Sequence, residues 1–337
     1  MNTYLSVYVV IFVLIITTLS NCNSYTNLQQ SDLSKGNWAL IASDNGTDPA
    51  GRSEAAFIEV GDKMYLLGGR GIQPVSIYDP ENNNWKTGSS APIGLHHFQP
   101  VIYKGEIYVV GAMTGDYPEE LPVEDIYVYN PEKDAWRTEG KIPSDRARGS
   151  AGIVIDKDML YIVCGIRDGH RGDHKKWLDR YNLKTKEWTQ LPDAPLARDH
   201  FQAAIVNGKI YALAGRTTIS ADNPFKHTIG TVDVYDVDNG HWSTLPEDLP
   251  TWRAGSFVMV MGDELIVIGG ESFTQEKAHS EVEALNVITK KWRSLPSLPI
   301  GRHGTGIVNY KDALYTASGV GNRGGGPILS DLWKFEY

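Results

Sequence analysis

Along most of the chain short apolar runs alternate with polar turns, and the turns are of two kinds that recur. One kind is tight: VGDK at 60–63, YKGE at 103–106, VNGK at 206–209 and YKDA at 310–313. The other lies between a tyrosine and a tryptophan seven residues later: Tyr78 and Trp85, Tyr129 and Trp136, Tyr181 and Trp188, Tyr235 and Trp242, with Leu285 standing for the tyrosine before Trp292. Between the two aromatics come DPENNN, NPEKDA, NLKTKE and DVDNGH. Pro, Asn, Asp, Gly and Lys there reverse the chain between antiparallel strands. Successive tryptophans are 51, 52, 54 and 50 residues apart, and a fixed period of about 50 predicts a propeller built from four-stranded blades.

A second landmark, the aromatic or apolar residue following each tight turn, gives six copies: Tyr65, Tyr108, Tyr161, Tyr211, Ile266 and Tyr315. After each comes a small-residue pair: Gly68-Gly69, Gly111-Ala112, Cys164-Gly165, Ala214-Gly215, Gly269-Gly270 and Ser318-Gly319. Glycine inside a strand marks a close approach by another group, here expected to be a blade's own Trp or Tyr. Small pair, tyrosine and tryptophan at fixed offsets resemble the kelch repeat, from Trp38 to Tyr337. The sixth copy ends at DLWKFEY, with Phe335 in the tyrosine column and no tryptophan after it. GNWALIAS, around Trp38, carries the missing strand. The expectation is therefore an all-β, six-bladed propeller of four-stranded antiparallel blades, its last blade closed by the N-terminal strand, so that no edge is left open.

Composition agrees and narrows the partners. With 41% hydrophobic residues, 34 Gly and 17 Pro, the chain suits many short strands joined by turns. A formal net charge of −9 disfavours nucleic acid as a general partner. Tyr4 to Leu19 is an uncharged run of 16 residues, shorter than the roughly 20 of a spanning helix, and reads as a secretory leader. Residues 1–22 are thus expected to be a signal peptide, 23–35 a tether, and 36–337 the propeller. The context LSNC at Cys22 resembles a lipobox, so ordinary cleavage and lipidation at Cys22 both stand. The expected location is periplasm or cell surface, lipid-anchored if Cys22 is acylated, as a monomer. Cys164, in the strand LYIVCG, reads as an inert buried thiol.

Sorting the loops places the tight turns on one face and the long connections on the other, where binding residues ordinarily sit. The same alignment sets Arg52, Arg148, Arg198, Arg253 and Arg302 in one column at the start of the innermost strands, with Leu95 as the sixth member. Converging on the axis, five guanidiniums would attract a carboxylate or sulfate by charge-assisted hydrogen bonds. In kelch domains an arginine at this place also bonds neighbouring backbone carbonyls, and that structural reading stands beside the first. His97 and His200 share a column and His303 lies one before it; Arg70, Arg216 and Glu271 sit at the outer ends of second strands, facing the same mouth. His97, His200 and Glu271 are the acid–base candidates. Asp168, His170, Asp173 and His174 crowd one loop, enough to hold a divalent ion if it folded around one, but such loops are ordinarily solvated, and neither metal nor cofactor is expected.

The kelch resemblance implies one of two uses. Many such propellers hold protein partners, and exported microbial ones include sialic acid mutarotases, similar in outline to this chain. A copper oxidase needs a cysteine-crosslinked tyrosine at the mouth, and Cys164 lies in the small-residue column instead. The leading expectation is an exported propeller binding an acidic or sulfated carbohydrate, or a similar small anion, in bacterial glycan use. The alternatives are a sugar mutarotase or epimerase and a protein-interaction scaffold with its partner on the long-loop face.

Overall fold

The computed structural model describes residues 33–219 and 223–337; the leader, Cys22 and most of the expected tether lie outside them. Within this unit, six four-stranded antiparallel sheets make the blades of a propeller. The first blade runs Ala55–Val60, Lys63–Gly68, Pro74–Asp79 and Asn84–Ser90, in spatial order from the axis outward. Blades two to five begin at Val101–Tyr103, Gly152–Asp156, Ala203–Val206 and Phe257–Met261. In the sixth, Val308–Tyr310, Ala313–Ala317 and Leu332–Glu336 are completed by Asn37–Leu40, which pairs through Trp38 opposite Phe335.

That pairing is the seven-residue repeat in physical form. Each tyrosine lies directly across from its tryptophan on the third and fourth strands: Tyr78 from Trp85, Tyr129 from Trp136, Tyr181 from Trp188, Tyr235 from Trp242. Ring centroids stand 4.5 to 5.2 Å apart, and Trp38 reaches Phe335 at 5.0 Å. Each such cross-strand pair contributes about 0.5–1.5 kcal/mol beyond area burial. Apolar side chains of adjacent blades interleave into layers, and Phe57, Tyr78 and Trp85 of the first blade pack with Val308 and Tyr315 of the sixth. The ring is thus closed by apolar burial as well as by the terminal strands. Leu33, expected in the tether, lies in a short turn, Leu33–Lys35, and is buried with Phe257 and Leu314.

The small-residue column has a different cause from the one anticipated. A Cβ on Gly269 would come within 2.2 Å of the Arg302 carbonyl oxygen, and one on Gly68 within 2.5 Å of that of Leu95. It is the next blade's backbone, with Phe98 and Phe257, that crowds these positions, and no tryptophan or tyrosine. The following amides donate to the same carbonyls, Gly69 to Leu95 and Gly270 to Arg302. Small residues therefore let adjacent blades bond backbone to backbone.

Candidate functional site

Two residues after each member of the arginine column the chain makes a ring around the axis. The residues are Glu54, His97, Ser150, His200, Gly255 and Gly304, all with φ between +51° and +63°. Left-handed backbone costs a non-glycine residue free energy and persists where surroundings enforce it. Here the enforcement is a closed circuit of hydrogen bonds: His97 N–H donates to Glu54, Ser150 to His97, His200 to Ser150, Gly255 to His200 and Gly304 to Gly255, and Ala55 returns the circuit to Gly304. The circuit holds Glu54, His97 and His200 at the axis. One residue earlier, His96, Asp199 and His303 bridge to Met113, Arg216 and Val320 at the outgoing ends of the second strands.

Above the ring, on the long-loop face, opens a cavity of about 460 Å³ whose walls include Arg70, Tyr117, Arg216, Phe225 and Glu271, with Glu54, His97 and His170 toward its floor. His170 arrives by a route of its own. It sits in the hairpin Ile166–Asp168 with Gly172–His174, where Gly169 fits against Pro118 and Glu120 with no room for a Cβ. The loop thus folds inward at His170 only, leaving Asp168 and Asp173 exposed. Asp168, His170, Asp173 and His174 are therefore not gathered around one point.

The polar contacts at the axis form three linked groups. Glu120 accepts from Arg70 at 2.6 Å and meets His170 Nδ1 at 2.7 Å. Asp199 meets His200 Nδ1 at 2.5 Å and accepts from Thr218, amide and hydroxyl. Glu271 accepts from Arg216 at 2.6 Å and from the Gly324 amide at 2.8 Å. His303 stands between two carboxylates, Nδ1 3.4 Å from Glu54 and Nε2 3.3 Å from Glu271. Burial alone would lower the His303 pKa, but Glu271 and Glu54 outweigh it and raise it to about 9. Burial raises Glu54 in the opposite sense, yet the neighbouring His97 and His303 hold its carboxyl well below the usual range. His97 and His200 are pushed down by burial, and His96 falls to about 4 for the same reason.

The arginine column does not take part. Arg148, Arg198, Arg253 and Arg302 have no exposed surface and Arg52 only 3%. Each is turned into its own blade. Arg148 Nε donates to Cys164 O at 2.5 Å and its Nη1 to Asp179 at 2.7 Å; Arg198 donates to Ala214 O, Thr231 O and Asp233. Arg253 bonds Gly269 O and Glu283, and Arg302 bonds Ser318 O and Asp331. In the first blade Arg52 takes Leu66, Gly68 and Pro74 carbonyls with the Ser76 hydroxyl. Guanidiniums buried against strand-end carbonyls, and in four blades against an acid at the third strand, point into their blades and away from the axis, so the five charges do not converge on an axial ligand as expected. Leu95 lacks this role. Of the expected site residues, Arg70, His97, Arg216 and Glu271 line the cavity, His200 lies beneath it in a narrow channel of about 40 Å³, and His303 stands behind Glu54 and Glu271.

A family model described as the KLHDC2/KLHL20/DRC7 kelch-repeats domain matches residues 99–319. The chain belongs to the kelch-repeat family. Among kelch relatives, "Kelch-like protein terF" of Aspergillus terreus is 27% identical over 84% of this chain and 64% of its own length. A RING finger domain and kelch repeat-containing protein of Dictyostelium discoideum is 28% identical over 67% of this chain and 21% of its own. Alpha-scruin of Limulus polyphemus is 24% identical over 78% and 28%. The chain therefore spans less than two thirds of each of these relatives. The solved structure titled "Structure of YjhT" superposes with a TM-score of 0.70 at 15% identity, covering 86% of this chain and 98% of that one, a likeness of fold. Reading the kelch sequence missed Glu120 and Asp199 as partners of His170 and His200. A signal was present for Asp199, which directly precedes a histidine in the axial column; none marked Glu120.

Proposed function

We propose that this kelch propeller binds a small, oxygen-rich molecule in its axial cavity and moves a proton on it, as a sugar mutarotase or epimerase does. One observation carries the reading: the carboxylates of Glu54 and Glu271, which flank the His303 ring at 3.4 and 3.3 Å, both line a cavity of about 460 Å³. A volume of this size suits a small ligand, and a carboxylate backed by an imidazolium can take up a proton and return it. Tyr117 and Phe225 supply faces on which a ring could stack. The acidic carbohydrate expected from the arginines keeps Arg70 and Arg216 as support. Export through residues 1–22, with or without acylation of Cys22, belongs to the same proposal, and N-terminal mass spectrometry of the mature protein tests it.

The test is NMR with N-acetylneuraminate, glucuronate and glucose as probes. Saturation transfer reports binding, and exchange between anomer resonances reports catalysis. Glu271→Gln is expected to retain binding while catalysed exchange falls at least 100-fold. Absence of both signals for every probe defeats the reading. Six large apolar side chains exposed on the long loops, Ile72, Tyr117, Leu121, Ile219, Phe273 and Ile328, favour the scaffold reading as the second. A protein partner whose binding is lost in Phe273→Ser, with Glu271→Gln unaffected, would establish it.

A further inference from the structure

We propose that His97, His170 and His200 form a binding site for one divalent transition-metal ion at the floor of the axial cavity. A ring nitrogen of each lies within 4.8 Å of the others, and all three residues are buried. They come from three blades: two sit at corresponding places in the axial hydrogen-bond circuit, and the third is carried in by the hairpin at 166–174. Ring centroids stand 4.7, 5.0 and 5.4 Å apart.

The second observation is where the other ring nitrogens go. His200 gives Nδ1 to Asp199 and His170 gives Nδ1 to Glu120, which leaves Nε2 of each ring for another partner. For His97 the tautomer follows from a relay. The Gly115 carbonyl can only accept, so His96 donates to it from Nε2 at 3.0 Å; His96 Nδ1 is then an acceptor, and His97 donates to it from Nδ1 at 2.6 Å. His97 is left with its lone pair on Nε2. His200 Nε2 is buried and has no hydrogen-bond partner among the described residues. Buried imidazoles whose Nδ1 atoms are all engaged outward leave their Nε2 atoms to act as ligands, with the Glu54 carboxylate 3.6 Å from His97 Nε2, and an outer-shell partner on every histidine is what metal-ligating imidazoles ordinarily have. Bonds of about 2.0–2.1 Å to imidazole nitrogen need only a modest inward rotation of the rings.

The charge balance agrees. Glu54, Glu120, Asp199 and Glu271 face the guanidiniums of Arg70 and Arg216 and the His303 imidazolium. One negative charge is in excess, which a divalent ion reverses. Imidazole ligands suit zinc, copper, iron or nickel over magnesium or calcium. Three protein ligands leave a coordination position free; His97 and His170 also line the cavity, so the ligand class is a carboxylate, hydroxyl or enolate oxygen. The inference goes beyond the proton-transfer reading and does not depend on it.

The untagged protein, stripped with a chelator, is titrated with zinc by calorimetry and with cobalt by visible absorption. The expected result is one ion per chain and cobalt bands typical of nitrogen-rich four- or five-coordination. His170→Ala and His200→Asn should each weaken zinc binding at least 100-fold, and Asp199→Asn about 10- to 100-fold, with circular dichroism confirming that each variant folds. His241→Gln, at an exposed histidine outside the axial groups, should bind zinc as the parent does. Should a variant fail to fold, the cobalt spectrum and stoichiometry of the parent decide the matter. A parent that binds less than 0.2 zinc per chain at micromolar concentration, or variants that bind as it does, would overturn the proposal. Zinc binding without any sugar signal would sink the proton-transfer reading alone.

Discussion

Replacing Arg198 by methionine separates the two roles an arginine column could have. Its guanidinium is wholly buried and makes three contacts: Ala214 O and Thr231 O at 3.0 Å each, and Asp233 at 2.7 Å. Methionine fills much of the space but strands Asp233, itself buried and, among the described residues, keeping the Thr244 hydroxyl at 2.7 Å. Removing one partner of a buried ion pair costs about 3–5 kcal/mol, and the two carbonyls left without donors add about 1–3 kcal/mol each. A loss of about 5 kcal/mol or more is a large part of the 5–15 kcal/mol that holds a typical fold together. At about 2–4 °C per kcal/mol, the melting temperature should fall by roughly 10 °C or more. Urea denaturation gives the free energy directly. The double variant Arg198→Met with Asp233→Leu should recover about 3 kcal/mol of the loss, because no charge is then stranded. An Arg198→Met protein within about 1 kcal/mol of the parent, with binding of glucuronate abolished, would refute the structural assignment and restore the ligand-binding one.

Three further outcomes follow from the same contacts. Deleting 331–337 removes the partner of Asn37–Leu40 together with Phe335, the Trp38 contact and the Arg302–Asp331 pair, so the shortened chain should lose cooperative melting by calorimetry, whereas a parent-like transition would contradict the latch. His303 has its folded pKa raised to about 9 from an ordinary 6.5; its stabilisation is full below pH 6.5 and disappears as pH rises through 9, amounting to on the order of 3 kcal/mol. Urea titrations at pH 6.5 and 9.5 should show that loss in the parent and little of it in His303→Gln. Burial raises the Cys164 thiol to about 11, so it should resist a thiol reagent at pH 8 in the native protein and react fully once unfolded.

The blades were legible because their marker is a local pair: Tyr and Trp seven residues apart must face each other across a two-strand turn, and every tight turn kept phase with them. The arginines were legible as a column and misread in direction. A guanidinium at the head of an inner strand goes where an acid awaits it, and the acids stand at nearly constant distances downstream, Asp179 at 31, Asp233 at 35, Glu283 at 30 and Asp331 at 29 residues. That second column was in the sequence and distinguishes a clamp within the blade from a ring around the axis. His170 was not legible in this way, since its position depends on how an irregular hairpin leans on Pro118 and Glu120, about 50 residues away. Nor could spacing give the left-handed circuit, which exists only once six blades meet and each residue bonds the next.

The account rests on the axial contacts fixing these imidazoles in defined protonation states, and a side-chain nitrogen-15 correlation spectrum of metal-free, histidine-labelled protein at pH 8 measures them directly. It predicts a doubly protonated His303, assigned by the loss of that signal in His303→Gln, and a proton on Nδ1 of His97, His170 and His200. A neutral His303 at that pH, or those three histidines protonated on Nε2 instead, would contradict it.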